Sequence, residues 1–281
     1  MGYQAIGIGD DDLSLGKKFL LELSEMSSIP FISSNLIDED SGKPLFQRYI
    51  IKEVNGLKIG IFSLLAPEVF LGLSDSRKKG LIIRDSVETA QEIIRELGLQ
   101  TDLIILLSHL SYPKDVELAQ KISGIHIIVG GHSGIHLSNP RVMNDKIILQ
   151  TSSKGKFAAR LDLTLLNNKT SFYNTTTKHS LQTNLNKFQG QLASVQASQA
   201  EKAQWQKAKE GIEKALQQLE GKGYFTNTIS PLSQRVGDHP DIKKIVDAYK
   251  SKFPEKSEPP VHDSRGSYGS YSPNPEVFLL A

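Results

Sequence analysis

Apolar and polar positions along the first 180 residues predict alternating strands and helices. Short apolar runs predict strands, and segments with apolar residues three and four positions apart predict helices. The predicted strands are Tyr3–Ile8, Pro30–Ser34, Gln47–Val54, Leu57–Leu65, Asp102–Leu107, Ile125–Val129, Val142–Gln150, Leu161–Leu166 and a weaker one at Thr170–Thr177, and the predicted helices span residues 13–26, Ser86–Leu97 and Lys114–Ile122. Two helix–strand units in succession favour an α/β layered domain.

Local signals mark a turn and a helix start within this region. Asn55-Gly56 separates two of the predicted strands, and Asn-Gly is the strongest two-residue signal for a β-hairpin. The cluster Asp10-Asp11-Asp12 precedes the first predicted helix, and aspartate is a favoured N-cap residue. We therefore expect a hairpin at residue 55 and a helix capped by one of these aspartates.

The pattern changes near Leu185, where heptad spacing replaces the strand and helix alternation. Leu185, Phe188, Leu192 and Val195 follow one heptad and Trp205, Ala208, Ile212, Ala215 and Leu219 another, with a break in phase between them. This pattern predicts a long helix or a helical hairpin with coiled-coil character, suited to packing, self-association or a protein partner through residues 185–220.

The remaining C-terminal sequence predicts one more helix and a tail. A helix is expected at His239–Lys252, capped by Asp238 and with Pro240 in its first turn. Beyond it the chain is rich in Pro, Ser and Gly, a composition typical of linkers. The predicted organisation is a domain at 1–180, a helical extension at 181–252 and a flexible tail at 253–281.

Composition excludes several classes of protein. Apolar residues make up 38% of the 281 residues and charged residues 23%, which is typical of a folded chain. A net charge of +2 argues against a strongly basic nucleic-acid-binding protein. The absence of cysteine excludes disulfides, thiolate metal sites and a cysteine nucleophile. No apolar run is long enough for a membrane span, and residues 1–16 lack the features of a signal peptide.

Three residues of metal-binding type follow predicted strands. Asp10, His109 and His132 each lie one to three residues beyond the end of a strand. Sites in open α/β sheets form beyond the carboxyl ends of the strands, so we expect these side chains to converge. Imidazole and carboxylate groups suit zinc, iron and manganese. The sequence therefore predicts a site for one divalent metal ion, Zn, Mn or Fe.

An ordered series of motifs over residues 1–180 resembles the calcineurin-like metallophosphoesterase superfamily, in its 5′-nucleotidase branch. Ile6–Gly16 (IGIGDDDLSLG) is similar to the segment GNHEFDxG of that family, and Gly124–Ser133 (GIHIIVGGHS) is similar to its GHxH block. The other segments that resemble family blocks are Pro30–Leu65, Asp102–His109 (DLIILLSH) and Gln150–Leu163.

The resemblance implies a fold and a set of ligands. The fold is a sandwich of two mixed β-sheets flanked by helices, here followed by the helical extension. In the family, the Asn of GNHE, a strand-end His and the first His of GHxH hold one of two metal ions, and these positions correspond to Asp10, His109 and His132. The resemblance also implies Asn35 near the site, a phosphate-ester or nucleotide ligand, and export from the cytoplasm, although no export signal is visible.

The chain departs from the family pattern at the second metal ion. The position of the catalytic His of GNHE is Asp11, and that of the second His of GHxH is Gly134. Upstream blocks that would supply an Asp-x-His motif and a bridging Asp are not in this sequence. His136 lies two residues beyond the lost histidine and is a candidate substitute ligand, and Asp12 is a second accessory candidate.

These departures leave two hypotheses. One is a non-catalytic binding or assembly module that retains half of a metal site, a pseudoenzyme. The other is a divergent hydrolase of phosphate esters in which Asp10, His109 and His132 hold one ion. A two-metal mechanism clamps the attacking and leaving oxygens between two ions, so the ligand count favours the first hypothesis.

Overall fold

The computed structural model describes residues 2–70, 72, 75–166, 170–194, 197–233 and 235–253. Two compact units divide the chain after Ser233. The predicted tail at 253–281 lies, apart from residue 253, outside the described residues. Among the described residues, no helix is both long enough and apolar enough to cross a membrane.

A six-stranded mixed sheet forms the centre of the first unit. Its parallel strands at Leu57–Leu65, Leu103–His109 and Ile127–Gly130 are mostly apolar because both of their faces are covered. In spatial order the strands are β4 (Tyr49–Val54), β5 (Leu57–Leu65), β7 (Leu103–His109), β8 (Ile127–Gly130), β10 (Lys146–Leu149) and β9 (Arg141–Met143). The β4–β5 hairpin turns at Asn55-Gly56, which confirms the predicted hairpin.

A second, three-stranded mixed sheet packs on one face of the first. Its strands are β11 (Phe157–Thr164), β13 (Gly223–Pro231) and β12 (Phe172–Asn174), with β13 in the middle. Phe172 and Phe225 of this sheet share a core with Leu103, Ile127 and Ile147 of the six-stranded sheet. The two packed mixed sheets confirm the predicted α/β sandwich.

Helices cover the other face of the six-stranded sheet. The α2 helix (Ser86–Leu97) begins at Asp85, whose side chain accepts hydrogen bonds from the amides of Val87 and Glu88. It and α3 (Tyr112–Lys121) bury Ile93, Leu97, Leu118 and Ala119 against the sheet. Both helices are within two residues of their predicted bounds, because apolar spacing is a strong signal in short amphipathic helices.

A smaller layer holds the N-terminal segment. Two short strand pairs, β1 (Ile6–Gly7) with β2 (Phe31–Ile32) and β3 (Leu36–Asp38) with β6 (Leu81–Ile83), lie beside α1 (Gly16–Met26). A separate apolar core that includes Ile8, Leu13 and Leu20 joins them. The predicted aspartate cap of α1 is wrong: Leu15 is the N-cap, and no side chain caps the helix.

The heptad region forms a helical hairpin, one of the two predicted alternatives. Helices α4 (Thr175–Leu192) and α5 (Gln199–Gln217) pack against each other, and the break in heptad phase falls between them. Leu185 is buried. Coiled-coil character and self-association through this region stay predictions.

Several strands differ from the sequence prediction, among them the short β3 and β6, which were not predicted. The expected strand Val142–Gln150 is the hairpin β9–β10, because Asn144 and Asp145 adopt positive φ angles of 47° and 62° and turn the chain. The expected strand at Thr170–Thr177 is the short β12, after which Asn174 caps α4. The unpredicted β13 lies inside the range 181–252 assigned to a helical extension, and the domain bounds themselves stay predictions.

The second unit contains one described helix, α6 (Pro240–Lys252). Pro240 occupies its first turn, as predicted. The predicted cap is wrong, because His239 is the N-cap and Asp238 instead pairs with Lys243 at 3.0 Å.

Candidate metal site

Three strand ends bring the candidate ligands together. His109 is the last residue of β7, and His132 follows β8 after Gly130-Gly131. These two strands are parallel neighbours, with Ser108 opposite Gly130. Strand β1 contacts β5 and β7, so Asp10 reaches the same edge from the neighbouring layer. The sequence expectation that the three side chains converge is met by the geometry.

One ligand-type atom from each of these residues lies within 4.8 Å of the other two. Oδ1 of Asp10 is 2.8 Å from Nε2 of His109 and 3.7 Å from Nδ1 of His132. The two imidazole rings meet edge to face, with their centroids 4.9 Å apart. A single ion placed among them would contact all three side chains.

Exposure increases across the group. Asp10 is buried, the His109 side chain is 24% exposed, and the His132 side chain is 35% exposed. A ligand from solvent therefore approaches from the His132 side. His132 also has a φ of 61°, a left-handed conformation that costs energy in a residue with a side chain and that concentrates at functional sites.

Close packing fixes the His109 ring. A side chain at Gly9 would place its Cβ 2.8 Å from Cε1 of His109, so only glycine leaves room for the imidazole. Burial opposes ionisation of Asp10, but the hydrogen bond and charge interaction with His109, and those with Arg77, outweigh it and lower the pKa of Asp10. The carboxylate is thus ionised near neutral pH and is ready to bind a cation.

The acidic neighbours of Asp10 have other partners. Asp11 is almost fully exposed and pairs with Nη1 of Arg77 at 3.0 Å. Asp12 accepts a hydrogen bond from the amide of Gly9 at 2.8 Å and so closes the turn that carries Asp10. Asp12 therefore supports the loop, and its role as an accessory ligand stays a prediction.

The other accessory candidates lie outside the group of three. Asn35 is fully buried, and its amide bonds both the N–H and the C=O of Leu65 and the C=O of Arg84, which ties β3 to β5. The His136 ring stacks on Phe157, with centroids 4.6 Å apart. Both residues therefore have partners outside the group of three, and their role as accessory residues stays a prediction.

Three residues that sequence reasoning missed support the site. Arg77 donates to Oδ2 of Asp10 at 2.5 Å. Gln150 donates to the carbonyl of Gly131 at 3.1 Å and to the hydroxyl of Ser133 at 3.0 Å, and so clamps the loop on both sides of His132. Asp115, on α3, accepts from the Ser108 hydroxyl beside His109. Of these, Gln150 carried a signal, since it opens a segment that resembles a family block.

The donor set fits a small divalent ion. Zinc binds histidine nitrogen and carboxylate oxygen at about 2.0–2.2 Å, which places tetrahedral ligand atoms about 3.3 Å apart. The 2.8 Å and 3.7 Å separations around Asp10 bracket that value. Three protein ligands also leave one position of a four-coordinate ion open on the solvent side.

Comparison with known proteins gives several relatives. No family model matches the chain. The trifunctional nucleotide phosphoesterase YfkN of Bacillus subtilis is 31% identical over 120 residues, which cover 41% of this chain and 8% of YfkN. The 5′-nucleotidase of Vibrio cholerae is 28% identical over 193 residues, which cover 58% of this chain and 35% of the enzyme. The chain thus spans about a third or less of the length of these relatives.

A solved structure shares the fold over most of the chain. The calcineurin-like phosphoesterase YfkN from Bacillus subtilis superposes with a TM-score of 0.59 at 17% identity. The match covers 89% of this chain and 70% of the chain compared with it. At this identity the likeness concerns the fold alone, which agrees with the packed mixed sheets described above.

Proposed function

The chain belongs to the calcineurin-like metallophosphoesterase superfamily, and on that premise we propose that it binds a single divalent metal ion and acts as a non-catalytic binding module. The observation that carries the proposal is the convergence of Asp10, His109 and His132 within 4.8 Å. Zinc suits two imidazoles and one carboxylate and is the ion proposed here. Phosphate esters and nucleotides are the class of ligand to test, because the names of the relatives refer to them.

The charge around the ligands argues against phosphate ester hydrolysis by this chain alone. Asp10, Asp11 and Asp75 all pair with Arg77, so three carboxylates and one guanidinium give a net charge of minus two. One divalent ion would bring that sum to zero. A site with no net positive charge attracts a phosphate dianion weakly, and Asp11 stands where the family places a catalytic histidine.

A single-metal hydrolase is the second candidate. Three protein ligands with an open fourth position is also the arrangement of catalytic zinc sites. A zinc ion bound there would activate a water molecule as a Lewis acid. The chain's own contribution would be to hold the ion through Asp10, His109 and His132 and to admit the ester from the exposed His132 side.

Isothermal titration of the metal-free full chain with Zn²⁺ tests the proposal. We expect about one ion bound per chain in the wild type and in His179→Ala, a control at an exposed position on α4, and loss of that binding in His109→Ala. No binding by the wild type would contradict the proposal.

Hydrolysis assays separate the two candidates. The zinc-loaded chain is expected to release no product from bis(4-nitrophenyl) phosphate or AMP. Turnover that is lost in both His109→Ala and His132→Ala would overturn the non-catalytic proposal in favour of the single-metal hydrolase.

A further inference from the structure

Arg77 contacts the candidate metal site from a segment that no motif marks. It lies in a 3-10 turn at Ser76–Lys78, and its Nη1 atom donates to Oδ2 of Asp10 at 2.5 Å. Its side chain is only 18% exposed. Arg77 is therefore part of the wall behind Asp10 rather than a surface residue.

The guanidinium is held from two further directions. Asp75 accepts from Nε at 3.1 Å and from Nη2 at 2.8 Å, and the charge also lies 5.4 Å from the centre of the Phe70 ring. A planar guanidinium fixed by a bidentate carboxylate and an aromatic ring keeps one orientation. Its contact with Asp10 is consequently built into the fold and does not depend on a bound ion.

Because of this contact, the two carboxylate oxygens of Asp10 have different partners. Oδ1 faces the two imidazoles, at 2.8 Å and 3.7 Å, while Oδ2 is bonded to Arg77. An ion among the three ligands therefore finds one free carboxylate oxygen. Zinc is satisfied by four ligands, whereas calcium takes six to eight oxygens and often binds a carboxylate through both.

We propose that Arg77 is a positioning residue that makes the site selective for zinc over calcium by keeping Asp10 monodentate. The proposal rests on the proposed function, because it assumes that Asp10, His109 and His132 hold an ion. Residues that hydrogen-bond a metal ligand from behind orient it and commonly change metal affinity 10–100-fold. Arg77 has that relation to Asp10, because it bonds the carboxylate oxygen that faces away from the two imidazoles.

An opposing effect has to be separated from the proposed one. The positive charge of Arg77 repels every divalent ion, and removing it would raise the affinities for zinc and calcium by the same factor. Freeing Oδ2 of Asp10 would instead raise the affinity for calcium more than the affinity for zinc. The ratio of the two affinities therefore reports orientation of the carboxylate and cancels the effect of charge.

Calorimetric titration of the metal-free full chain with Zn²⁺ and Ca²⁺ measures this ratio. We expect the zinc-to-calcium affinity ratio to fall at least tenfold in Arg77→Gln and to recover only in part in Arg77→Lys, which restores the charge but not the fork. The matched control is Arg84→Gln, whose side chain pairs with Glu92 on α2, and its ratio should equal that of the wild type. The visible spectrum of Co²⁺, which reports coordination number, should also change in Arg77→Gln alone.

Each outcome has one meaning. If the wild type binds no Zn²⁺, the proposed function fails and this inference fails with it. If the wild type binds Zn²⁺ and Arg77→Gln shifts both affinities equally, in either direction, Arg77 acts through charge or folding and only this inference is overturned. A thermal melt of each variant identifies a loss of folding.

Discussion

Nε2 of His109 lies 2.8 Å from Oδ1 of Asp10, although 99 positions separate these residues in the sequence. The contact exists because the end of β7 and the loop after β1 meet at one edge of the sheet. Its two partners are atoms that an ion would bind, so an ion at this position would replace the hydrogen bond. The side chains are in that sense already arranged for a cation.

Substitution of Gly9 should disturb this contact selectively. In Gly9→Ala the new Cβ would lie 2.8 Å from Cε1 of His109, so the ring must move away from Asp10. We expect the affinity for Zn²⁺ to fall about tenfold or more, by analogy with the loss of residues that orient metal ligands. Titration calorimetry on the full chain gives the measurement.

A glycine in a helix provides the control for that variant. Gly211 lies in α5, and a Cβ there would meet no atom within 4 Å. Gly211→Ala should leave zinc affinity unchanged and raise the free energy of unfolding by about 0.5–1 kcal/mol. Equal zinc affinities in Gly9→Ala and the wild type would show that the His109 position does not depend on Gly9.

Asp115 should make the stability of the protein depend on pH. It is fully buried, and among the described residues its Oδ2 atom has no hydrogen-bond partner. Burial raises the pKa of Asp115 from 3.8 to about 7, a shift that the hydrogen bond from Ser108 only partly offsets. The folded state therefore keeps a proton that the unfolded state releases, and the free energy of unfolding falls as pH rises from about 4 to 7.

The variant Asp115→Asn removes this dependence because its amide stays neutral. We subtract the free energy of unfolding of the wild type from that of Asp115→Asn at each pH. This difference should be larger at pH 8 than at pH 4.5 by roughly 2–4 kcal/mol. Urea unfolding across this pH range measures the difference. The control Asp162→Asn alters a half-exposed carboxylate and should run parallel to the wild type. If the free energy of unfolding of Asp115→Asn also changed with pH in parallel with the wild type, Asp115 would be ionised in the folded protein.

The parts of the site that the sequence revealed are those carried by strand ends. Asp10, His109 and His132 follow apolar strands directly, and parallel strands must bring such positions to one edge. Arg77 gave no such signal, because its turn approaches Asp10 only through tertiary packing. Asp115 was missed for a similar reason. The pattern of apolar and polar residues along a helix does not distinguish a buried carboxylate from an exposed one.

The strand β13 was missed for a different reason. Residues 223–231 contain Tyr, Phe, Thr and Ile, which favour strands, but they follow a long helical pattern and precede polar sequence. Their partners, β11 and β12, lie more than 50 residues earlier, so the pairing that stabilises β13 is not visible locally. The Asn144-Asp145 turn was also missed, although Asn and Asp are residue types that favour turns.

The central position of β13 predicts that the chain after residue 180 stabilises the sandwich. Phe225, at the middle of the three-stranded sheet, is fully buried against Phe172 and the six-stranded sheet. Phe225→Ala should lower the free energy of unfolding by about 3–5 kcal/mol, the usual cost of removing a buried aromatic ring. Phe19→Ala, at a ring that is 45% exposed on α1, is the matched control and should cost less than about 1.5 kcal/mol. Urea unfolding of the full chain compares the two, and equal costs would show that β13 contributes nothing to the core that Phe172 shares with the larger sheet.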